Sequence, residues 1–169
     1  MNDDLHTLLA EYEGDHQGAR PNGLTASGLH PICHRQTAYQ LNGYEPTNET
    51  DPVSAATVGT MLHETYEKLW RAHDPEALVE VRGEHGQADV VRLHTDPPEI
   101  RDLKTKGKRG FDWWVNNGKP DDQIWDQLAI YAHDNNLPDD AELVIDALCR
   151  DTGRTAEYRA LYQVADGER

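Results

Sequence analysis

The chain has 169 residues and a formal net charge of -15, with 37% hydrophobic and 28% charged residues. That length suits one compact domain and leaves little room for two; the apolar residues come in periodic blocks, which argues against global disorder, and no apolar run approaches the roughly 20 residues needed to cross a bilayer. So acidic a chain is a poor candidate for coating nucleic acid by charge alone, because phosphate neutralisation needs Lys and Arg, but it leaves room for an enzyme that concentrates its cations locally.

The start, "MNDDLHTLLAEYEGD", has acids where a signal peptide carries a basic end, so a cytoplasmic protein is expected. Residues 1–22 pair a short amphipathic pattern (Leu5, Leu8, Leu9, Tyr12) with a polar, turn-rich stretch, and are read as a short N-terminal helix and flexible link; 23–169 are read as a single domain. "SGLHPICHRQTAYQL" is helical after Pro31, with Ile32, Ala38 and Leu41 inward. Between Ser54 and Ala72, apolar residues at Val58, Met61, Leu62, Leu69 and Trp70 follow the helical period, with Ser54 as a cap.

Beyond Asp74-Pro75 the pattern turns to alternation and β-branched residues. "ALVEVRGEH", "GQADVVRLH" and "EIRDLKTK" read as strands, the last two joined by a turn at "TDPP". "GKRGFDWWVNNGKP" is read as a polar, aromatic loop. A helix capped by Asp121 or Asp122 follows, running to about Asn135 with Ile124, Leu128 and Tyr131 on one side, and "AELVIDALCR" and "AEYRALYQV" close the chain as a hairpin around "DTGR". The order implies an α/β domain with a mixed β-sheet flanked by helices.

If the turn occupies Thr95 to Pro98, His94 faces Glu99, Asp89 faces Lys104 and Val91 faces Asp102. Asp102 and Lys104, two apart, then share a face, and Asp89 lies within diagonal reach of Asp102. Two carboxylates that close repel unless a cation lies between them, and oxygen ligands suit hard Mg2+ or Mn2+. Such a site could hold a scissile phosphate, with Lys104 orienting a water or stabilising the transition state; the plain alternative is an ordinary surface salt-bridge cluster. His63, four residues after Gly59, is either a third ligand, with Glu67 as a water-bridged partner, or structural. Gln127 and Tyr131, also four apart, either contact a phosphate or support Lys104, or belong to a helix with a core tyrosine.

Together "GTMLHETYEKLW", "GQADVV", "EIRDLKTKG" and "QLAIY" resemble, in order and approximate spacing, the RecB-type branch of the PD-(D/E)XK nucleases: a motif histidine, G-x-x-D, D-x-K and Q-x-x-x-Y. "SGLHPICHRQTAY" is similar to the S-x(5)-C-x-R opening of the CRISPR-associated and phage-encoded exonucleases of this branch. The resemblance implies a restriction-endonuclease-like core and a metal-dependent DNA nuclease, commonly an exonuclease acting at single- or double-stranded DNA ends in recombination, repair or spacer acquisition. It implies Mg2+ or Mn2+ on His63, Asp89, Asp102 and the Leu103 carbonyl, Lys104 as the catalytic lysine, and Gln127 and Tyr131 near the substrate strand. Arg35 would add a phosphate contact. The relatives' iron-sulfur cluster needs about four cysteines; Cys33 and Cys149 are the two present, so none is expected. Ala88 replaces the proline common before the first aspartate.

Arg101, Lys104, Lys106, Lys108 and Arg109 fall within nine residues. On this reading Lys106, Lys108 and Arg109 mark where the phosphate backbone enters. The adjoining "FDWW" either stacks on bases or wedges a duplex end, or Trp113 and Trp114 cover the sheet edge. Two rival functions remain: a structure-selective endonuclease, and a nuclease fold that binds DNA or a recombination or replication partner without cutting. No membrane partner is expected.

Overall fold

The computed structural model describes residues 55–163, with Ala38 and Asn42 upstream of them. The expected helix of residues 1–22 lies outside the described residues, as do Cys33, Arg35 and the cap at Ser54. Of the second expected helix only Ala38 is described; it is helical, and its carbonyl accepts the Asn42 N–H at 3.1 Å.

Helix α1 spans Ala55–His73, followed by strands β1 (Leu78–Arg82), β2 (Gln87–Arg92) and β3 (Glu99–Lys106), helices α2 (Lys108–Asn117) and α3 (Asp122–Asp134), and strands β4 (Glu142–Cys149) and β5 (Thr155–Leu161). The sheet order is β1-β2-β3-β4-β5, antiparallel except for the parallel pair β3 and β4. A parallel pair cannot be closed by a tight turn and needs a crossover of a dozen or more residues; α2 and α3 supply it. They also supply the apolar cover of the sheet, where Phe111, Trp114, Ile124, Leu128 and Tyr131 join Val91, Ile100, Leu143 and Ile145 in one buried cluster. No helix among the described residues is long and apolar enough to cross a membrane.

Two expectations are corrected. The segment expected as a loop is largely helix α2. Its glycines and asparagines suggest irregular backbone, but Phe111 and Trp114, three apart, are both buried and give the helix an anchoring face. Gly118 ends it at φ 69°, with its N–H on the Val115 carbonyl, a left-handed conformation that glycine adopts without steric cost. The β2–β3 connection is also longer than expected, taking up residues 93–98, so that Arg92 pairs with Glu99 and Val91 with Ile100. The register thus differs by two residues from the pairing of Val91 with Asp102. A shift of two leaves every side chain on its face, since the strand period is two.

Helix α1 meets the sheet through His63, Tyr66, Glu67 and Trp70, at three- and four-residue spacing, rather than through its aliphatic residues. Val58, Met61 and Leu69 are exposed, whereas Glu67 is buried and Tyr66 and His63 hydrogen-bond or ion-pair with strand residues. Where the apolar rhythm alone would turn a greasy stripe inward, this helix turns titratable groups inward.

Candidate active site

The paired β2–β3 ladder runs to Val90 and Arg101. Asp89 and Asp102 are the next residue on each strand, so the corrected register brings them closer to direct opposition than the diagonal placement expected. The Leu103 N–H donates to Asp89 Oδ2 at 2.7 Å. A buried backbone donor left unpaired is costly, so the Asp89 side chain substitutes for a ladder bond and is fixed by it. The same oxygen lies 3.1 Å from His63 Nδ1. Gly59, one turn before His63, is not forced by packing: a Cβ there would meet Thr105 Oγ1 at 3.5 Å, an ordinary contact.

Asp102 is 3% exposed and Asp89 7%. Asp102 Oδ2 lies 2.6 Å from Lys104 Nζ, a close charge-assisted contact. Lys104 Nζ also donates to Gln127 Oε1 at 3.0 Å, and Gln127 Nε2 donates to the Tyr131 hydroxyl at 2.6 Å. The two members of α3 named from their spacing therefore form a relay that steers the lysine. Gly86 makes room for it. A Cβ on Gly86 would stand 2.6 Å from Tyr131 Cε1 and 3.0 Å from its hydroxyl, so the glycine of the G-x-x-D pattern is the seat of the tyrosine ring.

Electrostatics follow this packing. Burial raises the Asp102 carboxyl, and the neighbouring Asp89 adds to it, against the pull of Lys104. Burial disfavours the Lys104 ammonium, but Asp102 and Asp89 outweigh it and hold the proton on the amine. His63 is likewise raised, its desolvation overcome by Asp89. Glu67 is pushed up to about 7 by burial, with Glu80 and Asp89 adding repulsion. The centre thus gathers carboxyl groups in a desolvated place, where the Lys104 ammonium offsets them and His63 binds a proton more readily than a free imidazole does.

Behind this centre lies a second charged layer that sequence reasoning missed. Arg101 belongs to the basic run but is 5% exposed. It is bidentate to Asp146 (3.0 and 2.9 Å), bonds Glu99 and Glu157 at 3.0 and 2.5 Å, and stacks 4.9 Å from the Trp70 ring centroid. The Tyr66 hydroxyl donates to Asp146. Helix α1 is thereby tied to β3 and β4 one turn past His63, which holds that imidazole over Asp89. The available signal was the aromatic pair Tyr66 and Trp70 on the two helix turns after His63.

The remaining named residues separate by partner. Lys106 Nζ lies 4.4 Å from the centroid of the Trp114 ring and 3.8 Å from Asp121; Lys108 binds Asp112 at 2.6 Å; Arg109 is exposed at the start of α2. Trp114 is in the core, with Nε1 donating to Asp121 at 3.2 Å, while Trp113 is half exposed. Cys149 is a free, buried thiol in β4.

Among the described residues, no three His, Cys, Asp or Glu side chains converge as a ready-made metal cage; His63 lies against Asp89 and Lys104 against Asp102. The donors nevertheless suit a hard divalent ion in kind. They are two buried carboxylates with an imidazole beside them.

No protein-family model and no curated protein matches the chain. Among solved structures it is similar to the crystal structure of SSO0001, with a TM-score of 0.65 at 17% identity, over 95% of this chain and 79% of that one. It is also similar to LHK-Exo in complex with dAMP, with a TM-score of 0.56 at 14% identity, over 84% and 78% of the two chains. Among the described residues, the mixed five-stranded sheet with its flanking helices is a restriction-endonuclease-like fold.

Proposed function

We propose that the chain is a metal-dependent DNA nuclease of RecB-type character that hydrolyses phosphodiester bonds, acting as an exonuclease on DNA ends in recombination, repair or phage DNA processing. The observation that carries this reading is the meeting of Asp89, Asp102 and Lys104 from two adjacent strands, with His63 on one side and the Gln127–Tyr131 relay on the other. The fold shared with LHK-Exo, a protein that holds the nucleotide dAMP, supports a nucleic-acid substrate.

The roles follow from position. Asp89, Asp102 and His63, with the Leu103 carbonyl, would hold Mg2+ or Mn2+. When bound, such an ion supplies positive charge to the scissile phosphate and acidifies a water. Lys104 donates hydrogen bonds to the attacking water or to the phosphate oxygens, where negative charge builds in the transition state. Gln127 fixes the lysine's direction, and Tyr131 fixes Gln127. Metal-free protein keeps Asp102 compensated by Lys104, which limits its repulsion with Asp89.

The test is a time course on end-labelled linear single- and double-stranded DNA beside a covalently closed circle, in Mg2+, Mn2+ and EDTA. Metal-dependent loss of the linear substrates, with the circle spared, is the expected result. Cutting of the circle would move the assignment to an endonuclease. Binding without cutting under either metal would move it to a non-cleaving module.

A further inference from the structure

Four of the five clustered cations are occupied. Arg101 is enclosed by Asp146, Glu99 and Glu157, Lys104 is on Asp102, Lys106 is 3.8 Å from Asp121, and Lys108 is on Asp112. Asp112 also takes Arg154 at 2.8 Å. Arg109 has no carboxylate partner among the described residues. Four residues on, and so on the same side of α2, Trp113 is 50% exposed. It stands outside the core cluster, whereas Trp114 is buried within it.

Arg109, Gly110, Trp113 and Asn116 line one open groove, bordered by Lys108 and Asp112. Gly110 is not demanded by packing, since a Cβ would meet only the Lys106 side chain at 3.7 Å. Its missing side chain leaves the groove floor flat between a guanidinium and an indole. A half-exposed tryptophan beside an uncompensated arginine suits one chemistry above others, a strand whose bases offer π faces and whose backbone offers phosphates.

We propose that the Arg109–Trp113–Asn116 face of α2 is a binding platform for a single-stranded DNA segment, in which an unpaired base stacks on Trp113 and its phosphate meets Arg109. This inference rests on the nuclease reading and adds to it the form of the substrate strand. Strand β3 leads from Lys104 directly into α2, so Trp113 lies at most about 20 Å from Lys104 by strand and helix rise. At about 3.4 Å per stacked nucleotide, that distance corresponds to about six nucleotides. A strand gripped at Trp113 therefore needs no more than about six nucleotides to reach the catalytic centre.

The experiment measures binding of fluorescein-labelled single strands of twelve nucleotides to full-length protein in EDTA, and their cleavage in Mn2+. The variants are Trp113→Ala, Trp113→Phe, Arg109→Ala and Gly110→Leu. Trp113→Ala should weaken the twelve-nucleotide complex roughly 5- to 150-fold, the range for loss of one stacked base. Arg109→Ala and Gly110→Leu should weaken it in the same direction, Trp113→Phe should retain most of the binding, and Trp113→Ala should raise KM for cleavage of the twelve-nucleotide strand. Wild-type binding that persists in Trp113→Ala and Arg109→Ala, with cleavage intact, overturns the platform alone. Absence of both binding and cleavage in the wild type overturns the platform together with the nuclease reading.

Discussion

Replacing Gly86 with alanine tests whether the tyrosine relay governs the lysine. The added Cβ would lie 2.6 Å from Tyr131 Cε1, 3.2 Å from Cζ and 3.0 Å from the hydroxyl. Aromatic rings cannot compress, so relief to an ordinary contact near 3.5 Å requires Tyr131 to retreat by about 1 Å. That retreat strains the 2.6 Å bond from Gln127, whose other end orients Lys104 at 3.0 Å. Overpacking of this kind costs about 1–3 kcal/mol of stability, a fall in Tm of about 2–4 °C per kcal/mol for a chain of this size. A displacement of about 1 Å in a positioned catalytic group costs on the order of a hundredfold in turnover. Turnover on linear DNA in Mn2+, measured well below the variant's Tm, should therefore fall far more than KM changes. Wild-type turnover in Gly86→Ala would refute the reasoning.

Three further outcomes are expected. Asp146→Ala should destabilise the protein by about 3 kcal/mol in urea, because it strips the buried Arg101 of its bidentate partner; a loss below about 1 kcal/mol would mean that Glu99 and Glu157 suffice. Burial works against the charge of Glu99, but hydrogen bonds from Arg159, Arg92 and Arg101 outweigh it and hold its pKa at about 2, against an ordinary 4.5. A depressed folded-state value gives stability that is complete above the unfolded value and is lost as pH falls through the folded one. Thermal melts should thus lose stability between pH 4.5 and about 2, and Glu99→Gln should flatten that limb; an unchanged limb would contradict the assignment. Gln127→Ala should slow cleavage at least tenfold with little change in Tm, since it frees Lys104 without opening the core; a Gln127→Ala rate equal to wild type would make the relay ornamental.

Much of the site was legible because it obeys short-range periods. Asp102 and Lys104 share a face by strand alternation, and Gln127 and Tyr131 align by the helical turn. Even a register wrong by two residues preserved the face, and the true register moved Asp89 toward its partner carboxylate. What escaped was set by long-range contact. Arg101 reads as one more surface cation until Trp70 and three acids from three strands enclose it. Helix α2 reads as loop because Gly107, Gly110 and Gly118 mask the Phe111–Trp114 spacing that anchors it to the sheet. The polar inner face of α1 is invisible to a rule that places aliphatic residues inward; the core there is a hydrogen-bonded layer whose members come from α1, β3, β4 and β5.

The most direct test of the central claim compares cleavage by the wild type and by Lys104→Met in saturating Mn2+, on linear DNA, with circular dichroism confirming equal folding. Lys104 would act on charge that develops in the transition state, so the variant should lose at least about a hundredfold in turnover while still binding the strand. Equal turnover in the two proteins would show that the Asp89–Asp102–Lys104 centre is not where the phosphodiester is cut.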